Sequence, residues 1–340
     1  MVGEIIDKAL QGAVLNEEEI AVLFGVPLFT RESARIVAAA REKSVKASSG
    51  LAEVHAQVGL NIAPCPNNCQ FCSFAAVNGV FDRSFEISAE RAAELALQFE
   101  KDGANAIYIM CTADYSFEKF LEISQEIRKV LRPETVMVAN LGDFDVQQAR
   151  RLKDCGFAGI YHALRLGEGT VTKIPAERRL ETFKNAREAG LVLGTCVEPV
   201  GNEHAIVELV EKTLITRAAK PAYSGAARRI PIHGTRLAQH GIVSEARMAH
   251  LLGVVRLALG YDVPGNCTHE PNVMGTVAGA NLIWAEAGSN PRDTAGSTEK
   301  QRGMTVSDCI RILNEGEWKV LAGPSRFYSE ARSTALHSER

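Results

Sequence analysis

Between residues 56 and 286 the chain alternates short β-rich runs with amphipathic helical segments, and this rhythm restricts it to folds built from βα units. Runs with strand character fall at 56–63, 106–110, 135–140, 159–164, 191–197, 228–232, about 261–267 and 282–286. The intervening segments carry helix start and stop signals. Ser88 precedes a run ending at Gly103, Asp145 one ending at Gly156, Ala176 opens one ending at Gly190, and Ser244 one closing at Gly260. The stretch between Cys267 and the last run is short and glycine-rich, so its helix is less defined. Eight β runs joined by crossover helices predict a TIM-type (β/α)8 barrel, whereas a doubly wound open sheet would show the same alternation with fewer strands. Residues up to about 48 read as helical, from the apolar spacing at 17–23 and 33–46. The expected organisation is an N-terminal helical extension over 1–48, an α/β barrel over 49–323 and a polar tail over 324–340.

The bulk properties narrow the function classes. With 340 residues, 46% hydrophobic content and a net charge of −3, the chain has ample apolar surface for one large core and no signature of disorder. No basic stripe marks it for nucleic acid. It has no apolar run of membrane-spanning length, and its start, Met-Val-Gly-Glu-Ile-Ile-Asp-Lys, lacks the basic end and apolar middle of a secretory signal, which predicts a cytoplasmic protein away from membranes. In that reducing compartment eight cysteines point to metal ligation or packing rather than to disulfides.

Three of these cysteines crowd into eight residues: Cys65, Cys69 and Cys72, in Ala-Pro-Cys-Pro-Asn-Asn-Cys-Gln-Phe-Cys-Ser-Phe. CxxxCxxC supplies three soft thiolates with no fourth cysteine nearby, so a cubane iron–sulfur cluster bound here would keep one iron open to a ligand. A structural zinc site would want a fourth ligand at knuckle spacing, and a disulfide pair does not suit a chain of this character. Of the other cysteines, Cys111, Cys196 and Cys267 each lie at or near the end of a strand run, which predicts them at the C-terminal mouth of the barrel, where such enzymes keep their sites. Three thiols converging there would hold a second, auxiliary cluster; each alone would be an ordinary buried cysteine. Cys155 and Cys309 lie in helical patterns and read as small buried hydrophobes.

The triad, with Phe71 just before its third cysteine, resembles the signature of the radical S-adenosylmethionine (SAM) superfamily. That resemblance implies a [4Fe–4S] cluster whose open iron chelates SAM and whose electron cleaves it to a 5′-deoxyadenosyl radical. From about residue 50 to 318 the likeness narrows to the biotin synthase branch, through Cys196-Val197-Glu198-Pro199-Val200-Gly201-Asn202-Glu203, Pro231-Ile232-His233-Gly234-Thr235-Arg236-Leu237 and Ala278-Gly279-Ala280-Asn281. The branch also contains biotin-synthase-like lipoyl synthases and relatives of methylornithine synthase.

In biotin synthases three cysteines and an arginine hold an auxiliary sulfur-donating cluster, and Cys111 and Cys196 match two of those cysteine positions. The third-strand cysteine is missing, since Val136-Met137-Val138-Ala139-Asn140-Leu141-Gly142 stands in its place, and Cys267 lies near the arginine position. The resemblance also implies SAM contacts from Thr112 and Asp114 after the second strand, from His162 and Arg165 after the fourth, and from Gly201 and Asn202 after the fifth. Arg165 paired with Glu168 is an equal structural alternative. Asn140, His233 and His269 are candidates for substrate contacts at the mouth.

The implied activity is hydrogen abstraction followed by sulfur insertion into a small-molecule or lipoyl-type acyl substrate. A flavodoxin or ferredoxin would serve as electron donor, and a homodimer stays open. The competing readings are a radical mutase or lyase without sulfur transfer, resembling methylornithine synthase or the hydrogenase-maturation enzyme, and a non-enzymatic iron–sulfur scaffold or electron carrier.

Overall fold

In the computed structural model, which describes residues 1–293 and 304–329, eight parallel strands close on themselves. They are β1 (Leu51–Gly59), β2 (Ala106–Met110), β3 (Val136–Asn140), β4 (Phe157–Tyr161), β5 (Val192–Gly194), β6 (Tyr223–Arg228), β7 (Gly265–Cys267) and β8 (Leu282–Gly288). Each pairs with the next, and β8 pairs with β1 from Glu53 opposite Leu282 to Gly59 opposite Gly288, so no edge is left. After a break at Thr195 and Cys196, β5 resumes as Val197–Val200, again beside β6. This is a TIM-like (β/α)8 barrel with helices before it, as the strand–helix rhythm predicts.

Three N-terminal helices, α1 (Val2–Leu10), α2 (Glu17–Phe24) and α3 (Arg31–Ala47), form that extension. Reciprocal capping boxes start α2 at Asn16 and α3 at Thr30. Their buried faces, including Ile20, Leu23, Phe24, Ile36 and Ala40, share one apolar cluster with Leu251, Leu252 and Val255 of the helix Glu245–Ala258. Ser88, Asp145 and Ser244 cap their helices through their side chains, each accepting from the backbone three residues on.

Some strand limits differ from the sequence reading. The first strand begins at Leu51, the fourth at Phe157, and the sixth occupies Tyr223–Arg228 rather than 228–232. The sixth was obscured because Tyr-Ser-Gly-Ala-Ala-Arg is small and polar: it faces the crowded barrel interior, where close approach matters more than β propensity. Gly225 shows this, since a Cβ there would overlap the backbone of Cys267.

The barrel is also closed at the end opposite its mouth by a segment the sequence assigns to a polar tail. Ser325, Phe327 and Tyr328 are buried among the inward-facing residues of β1, β2 and β6; residues 330–340 of that tail lie outside the described residues. Glu53 anchors the plug. It accepts from Ser325 Oγ at 2.5 Å and from the backbone N–H groups of Arg326 and Phe327 at 2.7 and 3.1 Å, while His55 Nε2 lies 2.8 Å away. Tyr328 Oη meets Tyr108 Oη at 2.9 Å, and Tyr108 Oη also donates to Tyr223 Oη at 3.1 Å. Among the described residues no helix is long and apolar enough to cross a membrane.

Removing the anchor strands several buried donors together, so Glu53→Ala is expected to lower unfolding free energy by about 3–5 kcal/mol. Urea denaturation checks this; a loss below about 1 kcal/mol would mean that the plug contributes little to the fold.

Candidate active site

β1 ends at Gly59, and the chain then runs through Asn61 and Ile62 into the loop that carries the cysteine triad at the mouth of the barrel. Several bonds hold this loop in shape. Cys65 N–H donates to Phe74 O at 2.7 Å, and Cys72 N–H to Cys69 O at 2.9 Å. Asn68 adopts a left-handed φ of 49° and accepts from Val77 N–H at 2.9 Å. Asn78 Nδ2 donates to Cys72 O at 2.8 Å, with Gln70 O and Cys69 O at 3.3 and 3.4 Å. Ser73 donates twice to Pro291 O beyond β8, and Lys173 N–H donates to Asn67 O, so the rim of the barrel grips the loop from two sides.

All three thiols line one cavity of about 210 Å³ in the mouth. Burial pushes Cys69 up to about 11 and Cys72 up to about 12, and the neighbouring thiols add to both shifts. Three crowded thiols, Cys65 buried and Cys69 and Cys72 half-buried, do not all ionise readily unless cationic metal replaces their protons. The donor set therefore fits an iron–sulfur cluster, which Cys65, Cys69 and Cys72 would hold.

Of the other residues singled out in the sequence, Cys111, Thr112, Asn140, Arg165 and His269 also line this cavity. Thr112 is pinned by Asn61: its N–H donates to Asn61 Oδ1 at 2.9 Å, and its hydroxyl accepts from Asn61 Nδ2 at 2.8 Å. Asn140 donates to Gln57 Oε1 at 3.0 Å. Arg165 stands between two carboxylates, with Nε 3.7 Å from Glu198 and Nη1 4.0 Å from Glu168. Burial opposes its charge, but these two carboxylates outweigh burial and raise its pKa. His269 lies flat against Trp284, with ring centroids 4.7 Å apart, and its Nε2 is 3.1 Å from Tyr161 Oη.

Five candidates are elsewhere. Asp114 and His233 are exposed on loops outside the cavity. Asn202 ties its loop to the carbonyls of His240 and Ile242. Gly201 leaves room for the Arg229–Glu203 pair, whose atoms a Cβ would strike. His162 is turned into a buried network, with Nε2 2.9 Å from Asp143 and 3.1 Å from Arg179 Nη1. Burial, with the Arg179 charge beside it, pushes this ring down to about 4, so it stays neutral and structural.

The auxiliary set of cysteines also needs correction. Along β2 and just beyond it, side chains alternate: Ala106 and Tyr108 belong to the inner core, Ile107, Ile109 and Cys111 to the layer between sheet and helices. Cys111 therefore borders the mouth but turns its thiol away from the barrel axis, because it sits one residue out of phase with the inward face. Cys196 and Cys267 do point inward, and they meet His269 there. Cys155 is half-buried and Cys309 fully buried in the outer layer, as packing residues.

The sequence reading assigned no role to Tyr161, Glu198, Trp284 or Arg292, which complete the cavity wall. Tyr161 and Glu198 lie inside quoted runs at strand ends, and that position is the signal that could have marked them.

Comparisons with known proteins agree with this geometry. The profile of the radical SAM superfamily matches residues 63–212. Biotin synthase of Corynebacterium urealyticum is 24% identical over 258 residues, covering 73% of this chain and 75% of that protein. Biotin synthase of Zymomonas mobilis is 26% identical over 238 residues, covering 65% and 70%. Among solved structures, a methylornithine synthase superposes with a TM-score of 0.78 at 16% identity, covering 96% of this chain and 98% of its own. The [FeFe]-hydrogenase maturase of Carboxydothermus hydrogenoformans gives 0.78 at 18%, covering 99% and 83%. At such identities the two structures speak for the fold alone. With the thiol triad on the rim of a closed (β/α)8 barrel and the profile matched from that triad to residue 212, this chain is a radical SAM enzyme, distantly homologous to the biotin synthases, and its family implies a [4Fe–4S] cluster and SAM.

Proposed function

We propose that this enzyme forms a carbon–sulfur bond on a small-molecule or lipoyl-type acyl substrate held in the barrel mouth. The observation that supports this reading is the soft-donor trio Cys196, Cys267 and His269, whose imidazole borders the cavity that the cysteine triad lines. Cys65, Cys69 and Cys72 would hold the cluster, which with SAM would supply the radical chemistry needed to take hydrogen from an unactivated carbon. A flavodoxin or ferredoxin in the cytoplasm would provide the electron.

The chain's own residues bind, orient and shield. Arg165 offers a planar guanidinium close to Cys69 for the methionine carboxylate of SAM, and Glu168 and Glu198 keep it charged and aligned. Asn140 and Gln57, bonded to each other, present an amide edge to a polar substrate group. Tyr161 and Trp284 fix His269, and the apolar wall they share excludes water from a reactive intermediate. Capture of the carbon radical by sulfide held beside His269 would form the carbon–sulfur bond and release one electron, which an oxidised iron centre holding that sulfide would accept.

A second reading, a radical mutase or lyase, is favoured by the outward thiol of Cys111 and the absence of any cysteine on β3. Both leave the barrel without the three-thiolate set of a biotin synthase.

Reduced anaerobically with dithionite, the reconstituted enzyme is expected to convert SAM to 5′-deoxyadenosine, and Cys65→Ala to abolish this, as liquid chromatography would show. Cys196→Ala should keep cleavage within about threefold while losing the sulfur-containing product made from isotopically labelled sulfide. Loss of cleavage in this variant, or a rearranged product free of label from the parent enzyme, would overturn sulfur insertion. Arg165→Lys should weaken SAM binding about tenfold, since an ammonium cannot make the bidentate contact; unchanged affinity in anaerobic equilibrium binding would remove Arg165 from the site.

A further inference from the structure

Cys196 and Cys267 come from strands that do not pair with each other, since β6 lies between β5 and β7, yet both turn their thiols into the barrel interior. Cys196 stands in the break of β5 and Cys267 ends β7, with their Sγ atoms 2.7 Å apart. The donor atoms of Cys196, Cys267 and His269 all lie within 4.8 Å of one another. Both thiols are buried in an apolar and aromatic shell that includes Tyr161, Tyr223 and Trp284. Two thiols facing one another in such a shell add nothing to packing that alanine or valine would not supply. The shell instead holds the third donor: Tyr161 Oη bonds His269 Nε2, and the indole of Trp284 covers the ring in parallel. Ordered imidazole orientation of this kind is what ligating histidines require.

We propose that Cys196, Cys267 and His269 together bind a single transition-metal ion, ferrous iron or zinc, and leave its fourth position to a ligand entering from the cavity. Two thiolates on one tetrahedral ion, each at about 2.3 Å from it, stand roughly 3.8 Å apart. The pair reaches that separation by opening about an ångström, within the play of two side-chain rotamers. Thiolates on different irons of a cubane are held apart by the iron–iron edge as well as by two iron–sulfur bonds, a span this pair does not approach. No third thiol is at hand to extend the site, since Cys111 belongs to the outer layer.

The charges also balance. Two thiolates and a neutral imidazole cancel a dication, so the occupied site is neutral in its apolar shell, where an isolated ion would be costly. His269 and Glu198 line the cavity, with His269 Nε2 3.7 Å from the Glu198 carboxylate, so the open position is approached from their side. A thiolate-rich ion favours sulfur as its further ligand, and sulfide or a thiol is the class that fits. This deepens the proposed carbon–sulfur chemistry and rests on it for the purpose of the ion, which for that step must be iron in its ferric state, because sulfide that captures a carbon radical gives up one electron and zinc cannot take it; the presence of the ion is a separate matter.

The test uses the full chain with Cys65, Cys69 and Cys72 all changed to Ser, so that only the inner site remains. Anaerobic titration with Co(II) should saturate at one equivalent per chain, with a thiolate-to-cobalt charge-transfer band and the intense visible bands of a tetrahedral ion. Added sulfide should shift those visible bands. Cys196→Ser and Cys267→Ser should each weaken binding about a hundredfold, and His269→Ala about tenfold with altered visible bands. Cys309→Ser, a buried thiol far from the site, is the control for folding and should titrate like the parent. Absence of the charge-transfer band at one equivalent, its survival when Cys196 and Cys267 are both replaced, or two or more irons per chain after reconstitution with iron and sulfide would each overturn the proposal. If cobalt binds as described while the intact enzyme makes no sulfur-containing product, the ion stands and the sulfur-insertion reading falls.

Discussion

The pairing of β8 with β1 is the constraint on which the mouth of the barrel depends. This seam turns an open sheet into a barrel, and it ends at two glycines whose backbones touch. A Cβ on Gly59 would overlap Ser289 O, and one on Gly288, which also has a φ of +71°, would overlap Gly59 O. Immediately past the seam each strand feeds a functional loop. The one after β1 carries the three cysteines; the one after β8 returns to hold it, through Ser289 Oγ on Asn61 O and Pro291 O on Ser73. The triad is thus set by the closure itself, and its distance from the barrel interior is inherited from the strand register.

Charge in this mouth is organised around buried pairs. Arg179 bridges Glu168 and Asp143, Asp143 meets His162 and Thr182, and Glu168 also faces Arg165. Burial alone would raise the Asp143 carboxyl, but the hydrogen bond from His162 and the charge of Arg179 hold it below the ordinary range. Such a network contributes little net stability when set against a hydrophobic core of the same volume. Its consequence is positional: it fixes Arg165 at the cavity edge with its charge intact. The same principle works at the far end of the barrel, where Glu53 and His55 hold the inserted segment Ser325–Tyr328 through side-chain and backbone donors.

Much of the fold was legible in the chain because alternation of strand and helix, with capping residues such as Ser88 and Asp145, is local information. The triad was legible for the same reason, since three cysteines in eight residues must share a loop. The inner set was not. Cys111, Cys196 and Cys267 each sit at or near a strand end, yet whether a side chain enters the barrel or faces the helices depends on register to a single residue. His162 and Gly201 misled for a related reason: they lie on the right loops but serve partners, Asp143 and Arg229, brought near from other parts of the chain.

The sequence by itself determined the barrel rhythm, the helical extension before it and the crowding of three thiols into residues 65–72, because each is written in neighbouring residues. Tertiary structure alone decided which cysteines meet inside, that His269 rather than Cys111 joins Cys196 and Cys267, and that the segment Ser325–Tyr328 fills the end of the barrel. Those outcomes turn on which way a strand residue points and on what the closed sheet brings opposite it. Both are settled by packing across the whole barrel and by no short stretch of chain.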